Sequence, residues 1–119
     1  MNNKMNTEIK QMWLDALRSG EYKQGQGGLH IKDSFCCLGV LCDLHRKNSN
    51  NPMTWESNTG DHRFAYDDEA RGLPYVVDDW AGLIHPTKEY KNKIIHTLMF
   101  ENDSGSNFAE IANIIEAEL

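Results

Sequence analysis

Phe35-Cys36-Cys37-Leu38-Gly39-Val40-Leu41-Cys42-Asp43-Leu44-His45-Arg46-Lys47 is an apolar run that ends on two cations. Wound at about 100° per residue, it puts Val40, Leu44, Cys37, Leu41, His45, Leu38, Cys42 and Phe35 on more than half the circumference. A helix that apolar must be surrounded, so the segment from Phe35 to about Lys47 is expected to be the central helix. Asp33-Ser34 supplies a capping pair just before it. The narrow remaining side collects Cys36, Gly39, Asp43, Arg46 and Lys47. A glycine inside a helix costs about 1 kcal/mol relative to Ala. Gly39 therefore marks either a close approach by another backbone or a ligand, or a surface position of no consequence.

Two amphipathic helices flank this centre in sequence. Asn6 or Thr7 can cap the first, Ile9, Met12, Trp13, Ala16 and Leu17 form its stripe, and Gly20 can end it. The last is marked by Phe108, Ile111, Ala112, Ile115 and Leu119; the turn Asn102-Asp103-Ser104-Gly105 precedes it, with Ser106 as cap. Tyr22-Lys23-Gln24-Gly25-Gln26-Gly27-Gly28 reads as a flexible loop leading to a short strand, Leu29–Lys32. Asn48–Pro52 is a second loop. Met53–Glu56 and His62–Asp67 read as strands joined by Ser57-Asn58-Thr59-Gly60-Asp61. In the latter strand His62, Phe64 and Tyr66 share one face, with Arg63, Ala65 and Asp67 on the other. Pro74 starts a short helix carrying Val76, Val77 and Trp80 and closed by Gly82. Residues 88–101 form a further helix, with Tyr90, Ile94, Ile95, Leu98 and Met99 on one side, although its β-branched pair also permits a strand. The sum is an α+β fold: a single small domain, 1–119, with four or five helices and a small, mostly antiparallel sheet.

The 119 residues, 39% hydrophobic and 25% charged, have a folding composition and room for one core. A net charge of −6 argues against a duplex-binding protein, which needs a basic face to displace counterions. The charge is uneven: residues 1–60 carry +1 and residues 61–119 carry −7. The pattern reads either as an ordinary acidic surface or, if an anionic ligand binds, as placing it near the first half and the isolated Arg63 and Arg71. No apolar run approaches the roughly 20 residues of a membrane span, and the N-terminus has no apolar signal core. Three cysteines, two of them adjacent, do not make a secreted disulfide framework, and a cytoplasmic protein is expected.

Several motifs invite chemistry. The glycine-rich loop fails as a P-loop, because no Gly-Lys-Ser/Thr follows and the next element is a strand. Cys36, near a helix N-terminus and off the apolar arc, is the one candidate nucleophile, with His30, His62, His85 or His96 as base. Cys37, Cys42 and His45 suggest zinc, but the two thiols diverge by about 140° on a helix, so no metal is expected. Ser106–Ala112 resembles the first helix of a helix-turn-helix, yet no recognition helix follows before Leu119. Aromatic side chains outside the helical stripes, Tyr22, Trp55 and Tyr66 among them, suit stacking on a purine.

Trp13-Leu14…Ala16-Leu17-Arg18-Ser19-Gly20-Glu21-Tyr22-Lys23-Gln24-Gly25, Cys36-Cys37-Leu38-Gly39-Val40-Leu41-Cys42-Asp43-Leu44, Leu73-Pro74…Trp80-Ala81-Gly82-Leu83 and Asn102-Asp103-Ser104-Gly105…Phe108-Ala109-Glu110-Ile111-Ala112 together span most of the chain. In these blocks the chain resembles a family of small, mostly bacteriophage-encoded hypothetical proteins. Glu101 stands where that family usually has Leu. Phage proteins of this size include sponges for nucleotide immune signals, such as cyclic ADP-ribose isomers and cyclic dinucleotides. The expectation is a non-enzymatic binder of such a small nucleotide-derived ligand, without cofactor, assembled as a homo-oligomer with sites near subunit interfaces. Lys23, Arg63 and Arg71 would neutralise phosphate; Tyr22, Trp55 and Tyr66 would stack; Gln24, Gln26 and Asn102 or Asp103 would bond ribose or base edges. The alternatives are an inhibitor that docks on a host enzyme through its acidic second half, and a cysteine-dependent hydrolase using Cys36.

Overall fold

The computed structural model describes residues 5–57, 62–83 and 89–119. Among them are five helices: α1 (Thr7–Ser19), α2 (Cys37–Asn48), α3 (Tyr75–Ala81), α4 (Glu89–Asp103) and α5 (Phe108–Glu118). Five short strands are β1 (Lys23–Gln24), β2 (His30–Ile31), β3 (Ser34–Phe35), β4 (Trp55–Ser57) and β5 (Arg63–Tyr66). They form one sheet of order β1-β3-β2-β5-β4, antiparallel except where β1 runs parallel to β3. The architecture is α+β. None of the described helices is long and apolar enough to cross a membrane.

The expected centre is the centre: every residue of α2 from Cys37 to His45 is buried, Gly39 and Asp43 included. Its start differs from expectation. Asp33-Ser34 caps nothing; Ser34 and Phe35 pair with both β1 and β2, and the helix begins after Cys36, which provides no side-chain cap. The sheet's claim on those two backbones outweighs the local capping preference. One orphan amide near the start, that of Cys37, finds Asn102 Oδ1 at 3.2 Å.

The helix α1 is built as its sequence dictates. Asn6 Oδ1 accepts the Ile9 amide at 2.9 Å, and Gly20 closes the helix in the left-handed conformation. Trp13 is fully buried and donates its indole N–H to the Cys37 carbonyl at 2.9 Å, fastening α1 to the first turn of α2. The α5 helix packs on α1 and starts with a capping box between Asn107 and Glu110, so Asn107 rather than Ser106 is the cap. Pro74 stands at the N-cap of α3 and Gly82 ends it.

The α4 helix runs through Asn102 and Asp103, two residues expected in a turn. Glu101 takes part in the turn that follows: its side chain accepts the Ser106 hydroxyl at 2.6 Å, and its carbonyl accepts the Ser106 amide at 3.0 Å. The β4–β5 pairing is the expected antiparallel one, with Trp55 opposite Tyr66. Asn58–Asp61 of its connection, the side chain of Tyr90 and His85 lie outside the described residues.

Candidate functional site

Three segments distant in sequence meet beside the N-terminus of α2: the glycine-rich loop, the turn after β5, and the last two turns of α4. Asn102, fully buried, joins the first and third. Its Nδ2 donates to the Gly25 carbonyl at 2.8 Å, its Oδ1 accepts Gln24 Nε2 at 2.9 Å as well as the Cys37 amide, and its carbonyl accepts Gln26 Nε2 at 3.1 Å. Gln24 Nε2 also reaches the Ser106 carbonyl at 2.8 Å. One residue on, Asp103 Oδ1 accepts the Gly27 amide at 3.1 Å.

The middle segment is delivered by a tight return. Asp67 and Asp68 both hold positive φ, 51° and 68°, so that Tyr66 and Glu69 exchange backbone hydrogen bonds of 2.8 and 3.0 Å across a two-residue turn. Ala70 then accepts the Leu29 amide at 2.8 Å, which sets Arg71 beside the glycines. A Cβ on Gly28 would lie 3.3 Å from the Ala70 carbonyl oxygen, so the two backbones approach more closely than a side chain comfortably allows.

These segments enclose a cavity of about 380 Å³, within the range of small-molecule sites. Gly27, Gly28 and Gly72 contribute backbone; Arg71 and Asp103 contribute opposite charges; His96, Met99 and Phe100 form the α4 wall. Phe100 is 67% exposed, unusual for a large aromatic, and Arg71 is exposed too. Among the described residues, no ion pair engages the Arg71 guanidinium. Cys36, the candidate nucleophile of the alternative reading, also lines the cavity, and it is buried. Burial pushes its thiol up to about 11 despite the opposing pull of the Gly39 and Leu38 amides. At neutral pH it is a thiol rather than a nucleophilic thiolate.

The expected stacking residues assemble elsewhere, around Asp43. This buried carboxylate accepts Tyr22 Oη at 2.7 Å, Trp55 Nε1 at 3.0 Å and Arg46 Nε at 2.7 Å, with Lys47 Nζ at 3.6 Å. Burial would raise its pKa, but the Arg46, Trp55 and Tyr22 hydrogen bonds outweigh that and hold it below the ordinary carboxylate value. On the adjoining sheet face, His30 stacks between Phe35 and Phe64 at centroid distances of 4.0 and 4.5 Å. Tyr66 is fully buried: its hydroxyl accepts the Met53 amide and lies 2.7 Å from His45 Nδ1. With the Met53 amide donating to it, the hydroxyl proton is free to point at His45 Nδ1, which accepts it as a neutral imidazole; burial holds that imidazole below the ordinary histidine value. These contacts also occupy two of the groups that suggested zinc, His45 by Tyr66 and Cys37 by the Leu98 carbonyl at 3.6 Å.

The ten expected ligand contacts therefore divide. Gln24, Gln26, Arg71, Asn102 and Asp103 gather at or behind the cavity; Tyr22 and Trp55 gather at Asp43, with Tyr66 against the Trp55 ring. Lys23, exposed in β1 and 3.6 Å from Asp33, lines neither place, and Arg63 sits on the strand face opposite Phe64 and Tyr66. Two corrections follow from burial: Tyr66 has no free ring face, and the Asn102 amide is consumed by protein partners. Sequence reasoning did not name Phe100, and it placed His96 only as a candidate base and Met99 only in a helical stripe, not on a ligand wall. Phe100 carried a usable signal, since it falls outside the stripe of its own helix.

A family model described as "Domain of unknown function (DUF8296)" matches residues 5–119, and the chain belongs to that family. No curated protein and no solved structure matches it.

Proposed function

We propose that this member of the DUF8296 family binds a small nucleotide-derived ligand in the cavity between the glycine loop, Arg71 and α4, and sequesters it without chemistry. One observation carries the reading: an exposed guanidinium and an exposed phenyl ring line the same recess, beside glycine backbone. A guanidinium forks onto phosphate oxygens, and an aromatic face stacks on a base at about 1–3 kcal/mol. The thiol state of Cys36 supports binding over hydrolysis. Capture of a bacterial immune signal, the role implied by the phage resemblance, is part of this proposal. So is a homo-oligomer, in which a second copy would add surface to a small cavity.

A sponge must bind tightly; a Kd of one nanomolar requires about 12 kcal/mol. The test is to incubate purified protein with a nucleotide panel that includes cyclic ADP-ribose isomers, cyclic dinucleotides and mononucleotides. The mixture is filtered, the retained protein heat-denatured, and both fractions chromatographed. A compound depleted from the filtrate and released intact is the expected result, with Arg71→Ala and Phe100→Ala each weakening capture at least tenfold. Conversion to a product would replace this reading with an enzymatic one. Depletion of nothing would overturn it in favour of a protein partner, sought by pull-down from a bacterial lysate.

A further inference from the structure

Resting on that reading of the cavity, we infer that it selects a nucleotide bearing a single phosphate charge over one bearing two or more. Among the described residues the lining holds one guanidinium, Arg71, and one carboxylate, Asp103, beside the imidazole of His96, so its permanent charges cancel. A monoanionic phosphodiester is matched by the Arg71 fork. Each further phosphate charge would enter the recess unpaired and beside the Asp103 carboxylate. The glycine loop does not offset this as a phosphate cradle does, because the Gly27 amide is already given to Asp103 at 3.1 Å. The wider field opposes polyanions as well: residues 61–119, which supply Arg71, Gly72 and the α4 wall, carry a net −7.

The same inventory orients the ligand. Phosphate goes to Arg71, and the base goes to the apolar wall of Met99 and Phe100. Asp103, whose Oδ1 is anchored on Gly27, keeps acceptor capacity for a ribose hydroxyl or a base N–H. A carboxylate there is an asset toward sugar and base and a penalty toward phosphate, which makes Asp103 the specificity-determining residue.

The experiment is calorimetric titration of the full chain, at low ionic strength so that the charge term is not screened. The probes are 3′,5′-cyclic AMP and cyclic GMP with one charge, a cyclic dinucleotide with two, and ATP and GTP with more. The cyclic mononucleotide should bind at least tenfold more tightly than the triphosphate of the same base, with the dinucleotide between them. Asp103→Asn keeps an acceptor for the Gly27 amide at an exposed position and should shrink that gap at least threefold. Arg71→Ala should weaken every probe. Equal or tighter triphosphate binding, or a gap unmoved by Asp103→Asn, would overturn the selectivity while leaving a nucleotide site standing. Binding of no probe would overturn the selectivity, and together with no capture from the wider nucleotide panel it would overturn the nucleotide site as well.

Discussion

Gly39 of α2 lies directly against Leu29: a Cβ on Gly39 would stand 1.8 Å from the Leu29 carbonyl oxygen and 2.7 Å from its carbonyl carbon. That carbonyl also accepts the Cys36 amide at 3.1 Å, so the backbone leading into β2 is held against the first turn of the central helix. The two possible explanations of Gly39 are thus decided in favour of close backbone approach.

Gly39→Ala separates this geometry from helix propensity. Propensity alone predicts a gain of about 1 kcal/mol. The clash is with main chain, which cannot rotate away, and α2 is buried from Cys37 to His45, so the helix cannot shift cheaply either. The expected result is a loss of more than about 3 kcal/mol in urea unfolding, or failure to fold. Unchanged or raised stability would refute the contact.

Asn102 should be nearly as intolerant, for a polar reason. Asn102→Asp preserves shape and both acceptors but removes the donor to Gly25 and puts a charge at a fully buried position. Asn102→Leu leaves the Cys37 amide and the Gly25 carbonyl without their side-chain partner, and Gln24 Nε2 with the Ser106 carbonyl alone. Each should lower the urea midpoint by the equivalent of about 2–4 kcal/mol. Nucleotide capture should fail with it, since Asn102 joins two walls of the cavity.

Elements fixed by local pattern were legible, and elements fixed by distant partners were not. The α1 helix, α3 and α5 each carry periodicity and end signals within a few residues, as Asn6 and Gly20 show for α1. The beginning of α2 was misplaced because Ser34 and Phe35 answer to β1 and β2, a pairing invisible to a local reading. The same holds at the site. Asn102 and Asp103 have turn-forming composition, yet Asn102 stays helical while its amide serves Gln24, Gly25 and Cys37, some 65 to 78 residues away. Aromatic and amide side chains identified as candidates do cluster, but around two centres, because composition names chemistry without saying which residues face one another.

Acid stability should fall in two windows. His45 and His30 are both held below the ordinary histidine value, by burial first. Folding thus favours their neutral forms; this stability is complete above about pH 6.5 and declines as pH drops through the lowered values. Asp43, held below the ordinary carboxylate value, stabilises the fold above about pH 4 and loses that contribution below it. Unfolding free energy measured from pH 8 to pH 3 should therefore show an upper decline that His45→Gln reduces and a lower one that Asp43→Asn reduces. At pH 7 Asp43→Asn should also cost about 1–3 kcal/mol, since Tyr22, Trp55 and Arg46 lose the charged acceptor they share. A lower decline of the same size in Asp43→Asn would show that the Tyr22–Trp55–Arg46 cluster is not what holds the carboxylate ionised.

Thiol labelling decides between a cysteine enzyme and a binder before any ligand is known. Cys36, Cys37 and Cys42 are all free and buried, and burial raises all three thiols, Cys36 to about 11. At pH 7.5 that keeps Cys36 in the thiol form, and burial shields it from reagent as well. Native protein should therefore label with a disulfide reagent only as fast as it opens, and all three thiols should react together once denaturant unfolds it. Cys36→Ser should leave nucleotide capture intact. One stoichiometric thiol reacting in native protein at the rate of a free cysteine, absent in Cys36→Ser, would mean that Cys36 is exposed and activated. The cavity would then have to be reconsidered as an active site.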